Sequence, residues 1–297
     1  MPQRAGFGLL VLAALSLTAC TALPIGGSSA TTPVDPTPPP PAYAGTITCV
    51  GSSVLAPILA EAAAAFEHAY PLAHILVITD TSQAGLSAVQ DGGADVGLSD
   101  VPVQTFAGLN VAVLRDHPLA GTLFALVAHP GIGLSGLSRD QVRALYGGTL
   151  RDWRDAGGVA QAVTVVSRPK GSGTRALFRE FVLEDAAEDD DAATPAETNQ
   201  DALIMVEQTE GAVAYVALPD PAAPVQILAL DGELPSPAGV QQGRYRFWGV
   251  AHAYTKGPAG GLTGAFLTFL LTPEVQTGVF QAHGFLPAAA IPPQGNR

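Results

Sequence analysis

Short apolar runs and Gly- or hydroxyl-rich turns alternate along most of this chain, and a stretch with helical spacing follows many of the turns. Apolar runs of four or five residues read as buried strands, and i, i+3, i+4 spacing reads as helix. Residues 46–50 predict a strand, Gly51-Ser52-Ser53 a turn, and residues 54–70 an alanine-rich helix with Ser52 or Ser53 as its N-cap. The pattern then repeats. Residues 75–78 predict a strand, 80–83 a polar turn, and 84–90 a helix stopped by Gly92-Gly93. Residues 94–98 predict the next strand, which ends in Ser99-Asp100-Val101-Pro102. Further strands are expected at 111–113, 123–128, 163–166 and 212–216, with an extended stretch at 246–255. Helices are expected at 139–146 (capped by Ser138, ended by Gly147-Gly148), 176–183, 202–209 and 261–271. Thr272-Pro273 reads as N-cap and N1 of the last one. No internal repeat is evident beyond this strand-turn-helix recurrence, which is that of an α/β protein.

The turns are where the chemistry concentrates. In open α/β sheets ligands bind beyond the carboxyl ends of the strands. Ser53, Ser82, Asp100 and the loop from Arg168 to Thr174 all fall at such ends. That loop, Ser167-Arg168-Pro169-Lys170-Gly171-Ser172-Gly173-Thr174-Arg175, joins an apolar strand to a helix N-terminus. A helix N-terminus exposes free N–H groups and the positive end of its dipole. Glycines let a ligand approach the backbone. Ser172 and Thr174 add hydroxyls, and Arg168 adds a planar fork suited to an oxyanion. The whole loop donates, which points to a small, highly charged anion. The plainer alternative is a turn with a helix cap, and the recurrence of similar loops counts against it.

Composition narrows the partners. The chain has 297 residues, a net charge of −12 and only 13% charged residues. That supplies core material for one large or two modest domains and argues against nucleic acid as a partner. Arg4 and the apolar run 7–17 read as a secretion signal over residues 1–19. Leu17-Thr18-Ala19-Cys20 resembles the lipobox of bacterial lipoproteins, which implies a lipid on Cys20 and a membrane-anchored, extracytoplasmic protein. The run is short for a membrane span. Residues 20–44 then form a Pro/Ser/Thr-rich linker that includes Pro38-Pro39-Pro40-Pro41, expected to be extended. With Cys20 lipidated, Cys49 is left alone as a small core residue. Residues 184–191 hold six acids and read as a solvated loop rather than a cation site, since their spacing is not that of an EF-hand. The six histidines show no metal-ligand spacing. There is no G-x-S-x-G elbow, and Lys170 precedes its glycines rather than following them as in a Walker A loop. No catalytic residue, metal or cofactor is expected.

Taken together, the residues resemble the phosphate-binding lipoproteins that feed bacterial phosphate ABC transporters. The resemblance runs from about Thr46 to Leu286. It rests on Gly51-Ser52-Ser53-Val54-Leu55-Ala56-Pro57, on Ser82 with Gly85 behind it, on Leu98-Ser99-Asp100-Val101-Pro102, and on Arg168 with Gly171-Ser172-Gly173-Thr174. Tyr254-Thr255-Lys256-Gly257 and Leu271-Thr272-Pro273-Glu274 resemble structural segments of the same family. The resemblance implies an α/β, two-lobed periplasmic-binding fold of the second type, with the ligand in a cleft between lobes that close by hinge motion. Lobe 1 would be 45–124 with 249–297, lobe 2 would be 125–248, and the crossings would lie near 123–128 and 246–250. It also implies inorganic phosphate as ligand, permease subunits of an ABC importer as partners, and a monomer.

By the same resemblance Ser53 supplies a hydroxyl, Val54 a backbone N–H, and Ser82 a hydroxyl with its N–H. Arg168 pairs with the anion and orients Asp100, while Ser172, Gly173 and Thr174 give hydroxyls and N–H groups. Asp100 accepts a hydrogen bond from protonated phosphate. Two other readings stay open at this point: a binder of another oxyanion such as sulfate, and a phosphate sensor with no part in transport. The unusually charged segment near Asp190 departs from the family pattern.

Overall fold

The computed structural model describes residues 43–218 and 222–292. The signal segment 1–19, Cys20 and the linker up to residue 42 lie outside them. Tyr43 already belongs to the fold, because its ring packs on Phe66 and Tyr70, with centroids 6.2 and 5.0 Å away.

The first two strand-helix units build one face of the site. Strand β1 (Gly45–Ser52) leads to helix α1 (Ala56–Ala69), β2 (Ala73–Asp80) to α2 (Ser82–Asp91), and β3 (Val96–Ser99) follows. β1 pairs in parallel with both β2 and β3, so the turns after all three strands gather at one sheet edge. α1 begins two residues later than its apolar spacing predicts. Leu55 is its N-cap, and Ser52 Oγ instead collects the N–H groups of Val54 and Leu55 at 3.2 Å each. α2 is capped by the Thr81 side chain and ended by Gly92 at φ 79°, a left-handed position that suits glycine.

Strand β4 (Leu114–Ala128) is the longest element and serves two sheets. Its first ten residues span the antiparallel pairing with β10, its last five pair with β8, and the last three of these also pair, on the other side, with β9. Its apolar signal starts only at Leu119, since Arg115-Asp116-His117-Pro118 reads as loop. Pro118 is tolerated because the register shifts there, between Ala251 and His252, and a bulge does not need the missing N–H. The stretch 111–113, expected as a strand, is a 3-10 turn, with the Asn110 side chain accepting from Ala112 N–H. Val-Ala-Val has strand composition, but the capping amide fixes the turn.

The chain then runs through β5 (Gly136–Leu137), α3 (Arg139–Tyr146), β6 (Thr164–Ser167) and α4 (Gly173–Phe178), which continues as a π-helical turn over Arg179–Leu183. Next come β7 (Thr194–Pro195), α5 (Asn199–Gln208), β8 (Ala212–Ala217), β9 (Gln226–Leu230), α6 (Pro237–Gln241) and β10 (Trp248–Lys256). Helices α7 (Gly261–Leu270) and α8 (Pro273–Val275) and strand β11 (Leu286–Pro287) complete it. The path through the sheet is β2-β1-β3-β10-β4-β8-β6-β7. β6 pairs in parallel with β8, so the loop after β6 starts a second strand-helix unit, parallel to its neighbour like the first two.

Phe66, Phe266, Leu98, Phe124, Tyr215 and Phe247 belong to one buried cluster that extends along both halves of β4. The acidic stretch 184–191 is not simply solvated, as its composition suggests. The Glu188 side chain is 4% exposed and ion-paired with Arg175 and Arg179. Glu184 pairs with Arg139 and Arg143, and Asp189 with Arg151. Among the described residues no helix is long and apolar enough to cross a membrane, and no group of His, Cys, Asp and Glu could hold a metal ion.

Candidate anion-binding site

The turns after β1, β3 and β6 and the first residue of α2 meet in one polar cluster. Ser52, Ser53, Ser82, Asp100, Arg168, Ser172 and Thr174 are all buried there. Sequence spacing could not choose between Ser52 and Ser53, and the structure gives them different work. Ser52 Oγ accepts the Val54 and Leu55 N–H groups, so its own proton points to Asp100 Oδ1, 2.5 Å away. Thr174 Oγ1 donates to the other oxygen of Asp100 at 3.3 Å. With a hydroxyl donor on each oxygen, the Asp100 carboxylate is held as an acceptor. Burial raises its pKa above the ordinary carboxylate value, while Ser52, then Arg168 and Thr174, pull in the other direction.

Ser53 and Ser82 are arranged the opposite way. Ser53 Oγ accepts from Arg168 Nη2 at 2.9 Å and from Asn199 N–H at 3.1 Å. Ser82 Oγ accepts the Asp100 N–H at 3.2 Å. Each hydroxyl therefore keeps its proton for a further acceptor. The amide N–H groups of Gly173 and Thr174, in the first turn of α4, have no acceptor among the described residues. Ser172 is the N-cap, with its Oγ accepting from Arg175 N–H at 3.3 Å. The Val54 N–H is directed to Ser52 rather than outward.

Arg168 is 4% exposed and fixed along its whole length. Its N–H donates to Tyr215 Oη at 3.1 Å, its Nε to the Ala196 carbonyl at 2.9 Å, and its Nη2 to the Glu197 carbonyl at 3.0 Å as well as to Ser53. Nη1 is buried without a partner among the described residues. Burial lowers the pKa of this guanidinium from its ordinary value, and the Tyr215 and Asp100 charges oppose that shift. The orientation expected of Arg168 toward Asp100 falls instead to the Ser52 and Thr174 hydroxyls. Arg175 points away: its Nη1 donates to the Arg168 carbonyl at 2.7 Å, and its other nitrogens meet Glu188 and Asp190.

Packing leaves no slack around this cluster. A Cβ on Gly173 would lie 2.5 Å from Ser82 Oγ and 2.9 Å from Asp100 Cβ, so only glycine lets α4 come this close to the β3 turn. The Gln83 N–H donates to the Gly171 carbonyl at 3.1 Å, a second tie between the two sides. A cavity of about 700 Å³, lined by Pro57, Ile58, Leu203 and Phe285 among others, reaches the cluster only at Ser53, Val54 and Asn199. Asp100, at 2% exposure, lies behind it. Sequence reasoning missed Asn199 and Tyr215. Asn199 sits at the start of α5 with an ordinary capping pattern around it, and Tyr215 reads as a core strand residue.

The arrangement thus presents donors and one acceptor. Two hydroxyls, two amides and one guanidinium N–H have protons to give, and one buried carboxylate can only take one. Such a set fits a small tetrahedral oxyanion that still carries a proton.

The model of the PBP superfamily domain matches residues 36–274. The phosphate-binding protein PstS of Bacillus subtilis is 35% identical over 246 residues, which is 82% of this chain and 81% of that protein. PstS of Pseudomonas aeruginosa is 26% identical over 194 residues, 58% of this chain and 59% of that protein. Among solved structures, a candidate phosphate ABC transporter substrate-binding protein from Clostridium perfringens, with bound phosphate, superposes with a TM-score of 0.75 at 23% identity, covering 82% of this chain and all of that one. An ABC-type phosphate transport receptor from Vibrio cholerae gives a TM-score of 0.66 at 21% identity, with 82% and 100% covered. The architecture is the two-lobed type II periplasmic-binding fold that those structures share.

Proposed function

Because the chain belongs to the PBP superfamily and to the family of the phosphate-binding protein PstS, we propose that it captures inorganic phosphate outside the cytoplasm and hands it to an ABC importer. The family is one of transport binding proteins, not enzymes. The observation that carries the reading to the residues is Arg168 Nη1, buried and without a partner among the described residues, near a carboxylate that accepts a hydroxyl on each oxygen. In this reading Arg168, the Ser53 and Ser82 hydroxyls, the Gly173 and Thr174 amides and the Ser172 turn surround the anion. Val54 contributes its N–H only once Ser52 releases it. Asp100 accepts the proton of hydrogen phosphate.

Lobe 1 comprises 45–124 with 249–297, lobe 2 comprises 125–248, and the chain crosses along β4 and before β10. What supports this division is that β4 changes partner from β10 to β8 between Leu123 and Phe124. The protein acts as a monomer, tethered to the membrane through a lipid on Cys20. The permease subunits of the importer are its partners in release.

Charge-assisted hydrogen bonds contribute about 1.5–3 kcal/mol each. Arg168→Ala is therefore expected to weaken phosphate binding roughly tenfold or more, measured by calorimetric titration. Wild-type affinity in that variant would remove Arg168 from the site. Sulfate is the competing ligand. It carries no proton near neutral pH, so its oxygens would face the lone pairs of Asp100 in a desolvated pocket.

A further inference from the structure

Arg168 and Arg175 lie on the same loop and helix start, and nothing in their spacing says which one faces the anion. The structure separates them through the acidic segment. Glu188 Oε2 accepts from Arg175 Nε at 2.9 Å, from Arg175 Nη2, and from Arg179 Nη1 at 3.3 Å. Asp190 takes Arg175 Nη2 on one oxygen, and its other oxygen lies 3.4 Å from Lys170 Nζ. The Arg175–Glu188 pair is almost out of water, with side chains 9% and 4% exposed. The remaining Arg175 nitrogen, Nη1, donates to the Arg168 carbonyl at 2.7 Å.

The segment is itself anchored. The Asp189 N–H donates to the Tyr146 carbonyl at 2.7 Å and the Asp185 N–H to the Arg179 carbonyl at 3.0 Å. Glu184 pairs with Arg143 on α3 at 2.5 Å. The peptide of Arg168 is thus gripped from both sides, its N–H by Tyr215 and its carbonyl by Arg175. A guanidinium can aim one N–H at a small anion only if its backbone does not drift.

Resting on the phosphate reading above, we propose that Glu188 is a positioning residue. Through Arg175 it fixes the backbone of Arg168, and by neutralising Arg175 it leaves Arg168 as the cation presented to the anion. The acidic segment is, in this chain, an external brace for the anion loop. Asp190 is its exposed end, tied to both Arg175 and Lys170.

The test is a double-mutant cycle on the full chain, read by phosphate titration. Glu188→Gln keeps the shape of the side chain and removes its charge. It is expected to weaken phosphate binding roughly tenfold, as loss of an orienting partner does at other ligand sites. Glu188→Asp, which keeps the charge on a shorter stem, should recover part of that loss. In an Arg168→Ala background, Glu188→Gln should add no further loss, because the residue it positions is gone. A merely structural role would give the same fold-loss in both backgrounds, and that result would overturn the proposal. So would unchanged affinity in Glu188→Gln alone. If Glu188→Gln does not fold, Asp190→Asn loosens the same brace from its exposed end. It should give a smaller loss that likewise vanishes without Arg168; no loss, or one that persists without Arg168, counts against the brace. A wild-type protein that binds no phosphate would instead defeat the phosphate reading, and the brace with it.

Discussion

At the residue scale the site depends on which way protons point. Ser52 and Ser53 are neighbours with the same side chain, yet one spends its proton on Asp100 and the other keeps it. The sequence shows both hydroxyls at a strand end but not this division, because the N–H groups that force it come from the turn before α1, from α5 and from Arg168. Asp100 was legible as a candidate, and its burial was not. The fold raises its pKa, so the folded chain holds the proton more tightly than the unfolded chain. Stability is then lost as pH rises from the ordinary carboxylate range through the raised folded value, the reverse of a salt-bridged acid. Asp100→Asn removes that cost while preserving shape. Without phosphate, the variant is expected to melt higher than wild type at neutral pH, with the gap closing as pH falls to the ordinary carboxylate range. A lower melting temperature at neutral pH would mean that the carboxylate stabilises the empty site.

At the element scale, ends that carry their own signals were legible and ends set by distant contacts were not. The span 139–146 matches α3 because Ser138 and Gln141 form a reciprocal capping box and Gly147 follows. The start of β4 was hidden because Arg115-Asp116-His117 are polar and Pro118 adjoins a register shift, while their pairing with β10 lies far away in sequence. The acidic segment reads as solvated because composition does not show that the chain folds back to seat Glu188 on Arg175 and Arg179, or that Glu184 meets Arg143 on α3, some forty positions away. α4 shows both cases: Ser172 caps it as its sequence suggests, but the need for Gly173 comes from Ser82 and Asp100 across the site. Gly173→Ala should leave α4 intact, since alanine is the better helix former. The added methyl should hold α4 off the β3 turn and weaken phosphate binding about a hundredfold, the scale expected for an ångström of misplacement. Circular dichroism and titration on one sample check the two halves of that expectation. Full binding would show that the two sides need not meet this closely.

At the scale of the whole molecule, the strand-turn-helix recurrence conveyed the α/β class, and the ordered motifs conveyed the family. The resemblance put a chain crossing near 123–128, and what it did not convey is that the strand there, β4, runs unbroken from pairing with β10 to pairing with β8. Hinge closure in such a fold brings the two faces of the site together around the ligand. On the lobe division proposed above, the Gln83–Gly171 tie is one contact of that kind, and opening the cleft is expected to break it. The tether is expected to hold this machinery at a membrane surface. Cys20→Ala should shift the protein from the membrane fraction to the soluble or unprocessed one, and a variant that is still lipidated would refute the anchor.

The central claim is that a buried acceptor among donors selects an oxyanion that carries a proton. The most direct measurement is one calorimetric titration of the protein at neutral pH with phosphate and then with sulfate. Tight phosphate binding with little or no sulfate binding is the expected result, since Asp100 has a proton to accept from one and none from the other. Comparable affinities for the two anions would contradict the role of Asp100 and the choice of phosphate that rests on it.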